Sequence, residues 1–370
     1  MIKKKPLQLA IIYTDLSLGG IQRKIIDLLN YIHKTKLRQR LDTEVILRWK
    51  TDFDLIPNLT SKKQKIFYPP RIFPFPRRRM PFFFNILFRF IVNPPNIILT
   101  HVFSSSMRSV PLARLMFGKK VRIVISQDNI FSYENNQWYA RLLVSTIYPM
   151  ADAIIVQTNI SRDDLVNNWN IPASKISVIP NWSRNITLKE KKDRDIDIIY
   201  CGRFEDQKNL LRLLKICKFL IKQKSDLKVV IIGSGRQESL LKDYASQNGL
   251  NSNVSFLVPT NDIDNYLGRA KIFALTSKFE GQPMALLEAM NYGCVPVLID
   301  FPGANEYISH NVNGLIAKSD KVFASYVFDC LNDKKLSARL ALASKKTVEK
   351  KYSEKNIQKY LDLMLQDLKL

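Results

Sequence analysis

The sequence predicts an α/β protein made of two doubly wound domains, each a parallel sheet flanked by helices, with a cleft between them. Short apolar runs alternate with helix-length amphipathic segments almost throughout, which is the pattern of strands that are buried on both faces. The pattern occurs in two series, separated by the polar, charge-rich stretch Asn181 to Arg194. A chain of 370 residues is also long for one core and ordinary for two.

The first series opens with LQLAIIY, starting at Leu7. Lysines precede it as they would a leader peptide, but the run is short, contains Gln8 and reaches Asp15 without a small-residue cleavage site, so it reads as a buried strand. Gly19-Gly20 then lead into a helix whose Ile21, Ile25, Leu28, Leu29 and Ile32 share one face. TEVILRW, NIILTHV, VRIVIS, AIIVQT and ISVIP are the following strands. The second series repeats the opening: DIDIIYCG is a strand, and Gly202 leads into a helix marked by Leu210, Leu211, Leu214 and Ile221. KVVIIG, VSFLV, KIFALTS and VPVLID complete it. The expected boundaries are 1–182 for the first domain, 183–194 for the linker, 195–350 for the second domain, and 351–370 for a closing helix able to pack back on the first. Both halves are Rossmann-like, and ligands of such sheets sit beyond the carboxyl ends of the strands.

Composition narrows the class. The hydrophobic content of 46% is that of a globular protein, and 57 Lys+Arg against 33 Asp+Glu give a formal charge of +24. That charge calls for an anionic partner such as nucleic acid, anionic lipid or a phosphorylated substrate. Cys201, Cys217, Cys294 and Cys330 are far apart, with no CxxC pair or nearby histidine to form a zinc site, which fits a reducing compartment. No run reaches the roughly 18 to 20 apolar residues needed to cross a bilayer. A soluble or peripheral protein is expected.

Two stretches carry chemistry. GRFEDQKN places Arg203 just after a strand and Lys208 at the start of the next helix, where free N–H groups and two cations can neutralise a diphosphate. Alone, these would read as surface charges. In SKFEGQPMALLEAMNYGCVPV, Pro283 starts a helix and Gly293 ends it. Glu288 lies inside that nearly apolar helix and needs partners such as sugar hydroxyls or neighbouring backbone. Glu280 precedes it on the loop.

Gly202-Arg203 with Lys208-Asn209, then Gly233-Ser234-Gly235, then Glu280 and Glu288, then GANEYISHNVNGLI, resemble glycosyltransferase family 4 in its usual order. LGGIQR and VIPNW extend the likeness more weakly into the first half. The resemblance implies a GT-B fold with an acceptor-binding N-terminal domain and a nucleotide-sugar-binding C-terminal domain. It also implies retaining transfer of a sugar from a nucleotide-sugar donor, with UDP-sugar favoured over GDP-sugar and no cofactor or metal required. By that likeness Arg203 and Lys208 bind the donor diphosphate, Glu288 the ribose hydroxyls, and Glu280 positions the transferred sugar. The segment Gly281, Gln282, Pro283, Met284 and Ala285 receives the phosphate or sugar, and Gly19 and Gly20 close over the donor from the opposite domain. Negative charge grows on the leaving diphosphate, so fixed cations and helix N–H groups are worth most in the transition state.

Departures matter too. The family usually has Phe where this chain has Gln282 and Glu where it has Gln22. The place of a common acceptor-side histidine reads Ser126, Gln127, Asp128, Asn129. His101, at the end of the preceding strand, is a catalytic candidate able to contact donor sugar or acceptor, or else a structural histidine. The DxD patterns Asp195-Ile196-Asp197 and Asp262-Ile263-Asp264 read as solvated rather than metal-binding.

From Leu55 to Gln127 there is no Asp or Glu, while 13 Lys and Arg are present. Within this tract FPFPRRRMPFFFNILFRF predicts a helix between Pro81 and Pro94-Pro95, on which Asn85 and Arg89 form a narrow polar face. Phe73, Phe75, Arg77, Arg78 and Arg79 are expected to touch an anionic membrane, since basic residues near such a leaflet contribute about 1 kcal/mol each and aromatic rings bury at the headgroup boundary. The helix would anchor that contact to the core. The whole predicts a peripheral enzyme on the inner face of the cell membrane, acting on a membrane-bound, polyprenyl-diphosphate-linked saccharide in the synthesis of cell-surface polysaccharide such as lipopolysaccharide. The rivals are a nucleotide-sugar epimerase or hydrolase of the same fold, a donor-binding pseudoenzyme, and a basic nucleic-acid-binding protein. Clustered phenylalanines and the lack of a recognised motif argue against nucleic acid as a partner.

Overall fold

The computed structural model describes residues 5–368 apart from 18, 52–54, 63, 73, 74, 80, 135–137, 185–192 and 261. The chain divides into two units: Met1–Pro180 with Asn356–Leu370, and Asn181–Lys355.

Unit 1 runs β1 (Leu7–Tyr13), α1 (Gly20–Lys34), β2 (Leu41–Leu47), β3 (Lys65–Phe67), β4 (Arg71–Ile72), β5 (Phe75–Arg79), α2 (Phe82–Val92), β6 (Ile97–His101), α3 (Val102–Phe117), β7 (Arg122–Gln127), α4 (Phe131–Glu134), α5 (Trp138–Ile147), β8 (Ala153–Val156), α6 (Asn159–Trp169) and β9 (Ile176–Val178). Its main sheet has the order β3-β2-β1-β6-β7-β8-β9, and every neighbouring pair is parallel. Unit 2 runs β10 (Ile196–Cys201), α7 (Leu210–Gln223), β11 (Val229–Ile232), α8 (Glu238–Gln247), β12 (Val254–Leu257), α9 (Ile263–Arg269), β13 (Ala270–Leu275), α10 (Met284–Asn291), β14 (Val295–Ile299), α11 (Ala304–Tyr307), β15 (Leu315–Ala317), α12 (Asp320–Asn332) and α13 (Lys334–Lys351). Its sheet, also all parallel, has the order β12-β11-β10-β13-β14-β15.

In each sheet the strand order reverses beside the first strand, between β1 and β6 and between β10 and β13. Helices on either side of such a reversal leave in opposite directions and open a crevice at the carboxyl ends. Central strands are apolar on both faces, as a sheet covered by helices on both sides requires. Ile196, Ile198 and Ile199 of β10 and Ile272, Phe273 and Ala274 of β13, for example, are buried in one continuous core.

A last helix, α14 (Lys355–Leu365), belongs with unit 1. Ile357, Tyr360, Leu361 and Met364 are buried, and Arg122 Nη2 donates to the Leu363 carbonyl at 2.9 Å. The stretch that composition marks as a polar linker is packed at both ends. Ser183 N donates to the Tyr352 carbonyl at 2.7 Å and Asn291 Nδ2 donates to Ser183 Oγ at 3.1 Å. Arg194 donates to the Tyr292 carbonyl at 2.6 Å. Of its described side chains, Arg194 answers backbone carbonyls of unit 2 and Ser183 is buried against Asn291.

The basic tract departs most from expectation. Phe75 and Arg77 to Arg79 form β5, which pairs antiparallel with β4, while Phe73 lies outside the described residues. In α2 the narrow polar face points inward. Asn85 is buried, and Arg89 Nη2 meets Glu44 Oε2 at 2.6 Å with its guanidinium 3.6 Å from the centre of the Phe67 ring. Phe82, Ile86 and Phe90 bury into the core as expected, but Phe83, Phe84, Phe88, Ile91 and Val92 are exposed. Each large apolar side chain left in water forgoes roughly 1.5–3 kcal/mol of burial.

The glycines of the Gly233-Ser234-Gly235 turn have a steric cause. Gly233 and Gly235 hold φ at +154° and +156°, and a Cβ on Gly235 would lie 2.6 Å from the Phe204 carbonyl oxygen. The turn is laced to the loop after β10, with Phe204 N donating to the Ser234 carbonyl at 2.8 Å and Gln237 N to the Phe204 carbonyl at 2.9 Å. Gly235→Ala is therefore expected to destabilise unit 2 by about 2–4 kcal/mol through backbone strain and overpacking. A fall in the urea midpoint with an unchanged slope is the measurement that checks it.

Candidate active site

At the carboxyl ends of β10 and β13 in unit 2, two loops are zipped together. Gln207 Nε2 donates to the Phe279 carbonyl at 2.9 Å, and Lys278 N donates to the Gln207 carbonyl at 2.8 Å. Thr276 Oγ1 donates to the Asn209 carbonyl at 3.1 Å. This lacing brings Lys208 and Glu280 together: Lys208 Nζ donates to the two carboxylate oxygens at 2.7 and 2.8 Å, and Ser277 Oγ donates to Glu280 Oε1 at 2.6 Å. Sequence reasoning gave these residues separate duties toward a ligand, whereas here they hold each other. An ammonium has three donors, and the carboxylate fixes the cation in place while engaging two of them. Arg203 is exposed just beyond β10, and its carbonyl accepts from the Tyr200 hydroxyl at 3.3 Å.

α10 follows directly. Pro283 sits one position outside the helix as its N-cap, so Met284 and Ala285 carry the first helical N–H groups. Most of this helix is buried; Ala285 and Glu288, three residues apart on one face, are its partly open positions. Gly281 is buried, and its carbonyl accepts from the Tyr307 hydroxyl, so the GANEYISHNVNGLI motif buttresses the loop. Gln282 is turned into unit 2: its Oε1 accepts from Asn181 N at 2.6 Å. That bond accounts for an amide where the family usually has Phe, and it occupies the side chain inside the fold.

In unit 1 the corresponding switch point holds Gly19, Gly20 and His101. Gly19 is the N-cap of α1 and Gly20 its first residue. Gln22 Nε2 donates to Asp15 Oδ1 at 3.2 Å, and Ser17 N donates to the same oxygen at 2.9 Å. A glutamate at position 22 would face the Asp15 carboxylate with like charge, which explains this departure from the family pattern.

His101 is not a lone histidine. It ends β6 and is 1% exposed, and its Nδ1 lies 2.9 Å from Asp128 Oδ2. Asp128 Oδ1 in turn accepts from Lys24 Nζ at 2.9 Å, and the same ammonium is 3.2 Å from Ser126 Oγ and 4.8 Å from the centre of the Tyr360 ring. His101 Nε2 is buried without a hydrogen-bond partner among the described residues. Val102, the next residue, has φ +58°, an uncommon and strained conformation for a β-branched side chain. Of the residues expected on the acceptor side, Asp128 belongs to this cluster. Gln127 is consumed internally, accepting from the Tyr148 hydroxyl at 2.8 Å and donating to the Asn129 carbonyl at 3.1 Å. Asn129 Nδ2 donates to Glu134 at 2.7 Å. Sequence reasoning missed Lys24, although a signal was present: it occupies the apolar face between Ile21 and Leu28.

Of the four DxD carboxylates Asp195, Asp262 and Asp264 are exposed as expected, and Asp197 is the exception, being buried. Asp195 takes two hydrogen bonds from Arg269, at 2.7 and 2.6 Å, and buried Asp197 pairs with Lys271 at 2.7 Å. Among the described residues no three His, Cys, Asp or Glu side chains cluster as a metal site.

Burial opposes charge on Asp128, yet Lys24 and His101 hold its carboxyl far below the usual range. Burial likewise lowers His101, with Asp128 only partly restoring it, and lowers Lys24 in the same way. A neutral His101 donating Nδ1–H to Asp128 keeps a lone pair on Nε2. The unfolded chain takes up a proton near pH 6.5 that the folded chain refuses, so stability falls as pH drops below that value. The limit is about 1.4 kcal/mol per pH unit for one proton. Asp128 adds a loss of the same sign below about pH 4, where its unfolded carboxyl protonates first. Denaturant midpoints measured from pH 8 to 5 are expected to decline below about 6.5, and His101→Gln should flatten that decline.

Residues 18–182 match the family model described as Glycosyltransferase Family 4, and residues 184–347 match Glycosyl transferases group 1. The N-acetylgalactosamine-N,N'-diacetylbacillosaminyl-diphospho-undecaprenol 4-alpha-N-acetylgalactosaminyltransferase of Campylobacter jejuni is 30% identical over 59% of this chain and 62% of its own length. The UDP-Gal:alpha-D-GlcNAc-diphosphoundecaprenol alpha-1,3-galactosyltransferase of Escherichia coli is 27% identical over 57% of this chain and 59% of its own. Each match thus spans about three fifths of the relative. Anabaena HepE, crystallised with UDP and glucose, superposes with a TM-score of 0.80 at 16% identity, over 98% of this chain and 100% of that one, so the two share a GT-B fold. Between them the two family models span nearly the whole chain, and the protein belongs to the glycosyltransferases that join a family 4 N-terminal domain to a group 1 C-terminal domain.

Proposed function

We propose that the chain transfers a sugar, with retention of anomeric configuration, from a UDP-sugar in preference to a GDP-sugar onto a membrane-associated, polyprenyl-diphosphate-linked saccharide during cell-surface polysaccharide synthesis. The observation that carries this reading is the laced switch point of unit 2, where Lys208 is held by buried Glu280 beside the N-terminus of α10. In this reading the third donor of Lys208 and the exposed Arg203 guanidinium meet the diphosphate, and the N–H groups of Met284 and Ala285 meet a phosphate or sugar oxygen. Glu280 positions the transferred sugar, and Glu288, one turn along the open face from Ala285, takes the ribose hydroxyls. Because Lys208 is fixed before reaction, it stabilises the charge that develops as the glycosyl bond breaks without reorganising, and the reading requires no metal. Gly281 to Pro283 shape the loop. The role of Gly19 and Gly20 toward the donor rests on the family resemblance.

The acceptor falls to unit 1. His101 Nε2, an acceptor atom by virtue of the Asp128 contact, is the group we assign to a hydroxyl of the donor sugar or acceptor. The curated relatives from Campylobacter and E. coli are named for diphospho-undecaprenol substrates, which supports a lipid-linked acceptor, and the excess of positive charge in unit 1 supports work at the inner face of an anionic membrane. No helix among the described residues is long and apolar enough to cross a bilayer, in keeping with a peripheral placement.

The test is direct. A thermal-shift panel of UDP, GDP and their sugars should raise the melting temperature most with a UDP-sugar, since a ligand at 100 times its Kd adds about 2.7 kcal/mol to the native state. Lys208→Ala should lower kcat by about 10²–10³-fold. Near-normal turnover in that variant, or no shift with any nucleotide sugar, would sink the donor assignment.

A further inference from the structure

The rotation of α2 is the feature that the proposed chemistry leaves unused. Phe84, Phe88 and Ile91 follow one another at four- and three-residue steps, so they form a single stripe, and they are 51, 57 and 63% exposed. Phe83 and Val92 flank it, also exposed. The same helix carries a charged residue and an amide that would solvate such a face, and the fold takes both inside. Arg89 is committed to Glu44 and to the Phe67 ring, and Asn85 is 3% exposed. The helix cannot roll its rings inward without drawing the Arg89–Glu44 pair apart, and a buried pair resists that strongly. The apolar stripe is thus held outward by a buried lock.

A stripe of this kind requires a cover, and the charge around it says what the cover is. Between Leu55 and Gln127 the chain has 13 Lys and Arg and no acid. Arg77 to Arg79 lie in the strand just before the helix. At the far end Phe90 packs edge-on against Phe117 of α3, at 5.7 Å between ring centres, and exposed Leu115, Lys119 and Lys120 bracket that ring in sequence. A protein partner could match the rings, but an apolar helix face preceded in the chain by Arg77 to Arg79 and followed by exposed Lys119 and Lys120, in a tract without acids, matches a wide anionic surface with an apolar interior. We propose that the outer face of α2 seats in the headgroup and acyl boundary of an anionic bilayer, with the Arg89–Glu44 pair as the device that sets its rotation. This rests on the reading that the acceptor is lipid-linked, and it moves the apolar part of the membrane contact from the Phe73 to Arg79 segment to the helix that follows.

Flotation with vesicles decides the matter. The wild-type chain should partition onto phosphatidylglycerol-rich vesicles at low salt and not onto phosphatidylcholine vesicles. The variant Phe84→Ser, Phe88→Ser, Ile91→Ser, altered only at exposed positions, should fold with an unchanged thermal transition and lose at least tenfold in partitioning. Tryptophan introduced as Phe88→Trp should be quenched by lipids brominated in the acyl chain. Equal partitioning of wild type and triple variant, absence of that quenching, or a dimer that the substitutions dissolve without any vesicle binding would each overturn the proposal. Transfer to a short, water-soluble acceptor separates the two readings. If the triple variant keeps it while losing the vesicles, the α2 proposal stands; if neither protein transfers sugar, the proposed function fails while the flotation result still decides the role of α2.

Discussion

All strands of both main sheets run parallel, so every strand-to-helix connection in a unit leaves from the same edge of its sheet. The rest of the protein depends on this constraint. A parallel sheet buries both of its faces under helices, which leaves the carboxyl-terminal edge as the place where polar side chains can gather without breaking the core. Each unit uses that edge in the same way. Beside its strand-order reversal a lysine from the beginning of the first crossover is paired with a carboxylate supplied by a later strand's loop: Lys24 with Asp128 in one, Lys208 with Glu280 in the other.

These pairs are expensive in isolation, because charges removed from water recover their cost only with good geometry and further hydrogen bonds. Both have such support, from Ser126 and His101 in the first and from Ser277 in the second. Their return is positional. A lysine on a solvated loop samples many rotamers, while one clamped by a buried carboxylate presents its charge at a fixed point, which is the property that preorganised electrostatics requires. The same logic governs Asp128, which keeps its charge inside the protein and thereby sets which nitrogen of His101 bears the proton.

Much of this was legible in the sequence. The long central strands and the helices with clear one-sided patterns, α1 and α7, stand where periodicity puts them, because burial on both faces or on one stripe writes itself into every residue. Three-residue strands do not: β3 and β15 are too short for any pattern, and the β4–β5 hairpin sits in a tract read for its charge. Lys208 and Glu280 were recognisable as residue types, but their mutual pairing was not, since nothing in a linear string says that they face each other across two loops. The inward turn of α2 was hidden for a different reason. Binary patterning assumes that polar side chains seek water, and here Glu44, distant in sequence, recruits Arg89 into the interior.

The closing helix gives the architecture a temporal asymmetry. Because α14 belongs to unit 1 while unit 2 lies between it and the rest, the half that leaves the ribosome first is the half completed last. Until Tyr360, Leu361 and Met364 emerge, their seat on unit 1 stands open and the Lys24 ammonium lacks the ring that faces it. Unit 2 can meanwhile fold as an uninterrupted stretch. A nascent chain of this protein is thus expected to carry a finished unit 2 ahead of a waiting unit 1, and premature termination even a few residues before α14 would strand an otherwise nearly complete polypeptide in that waiting state.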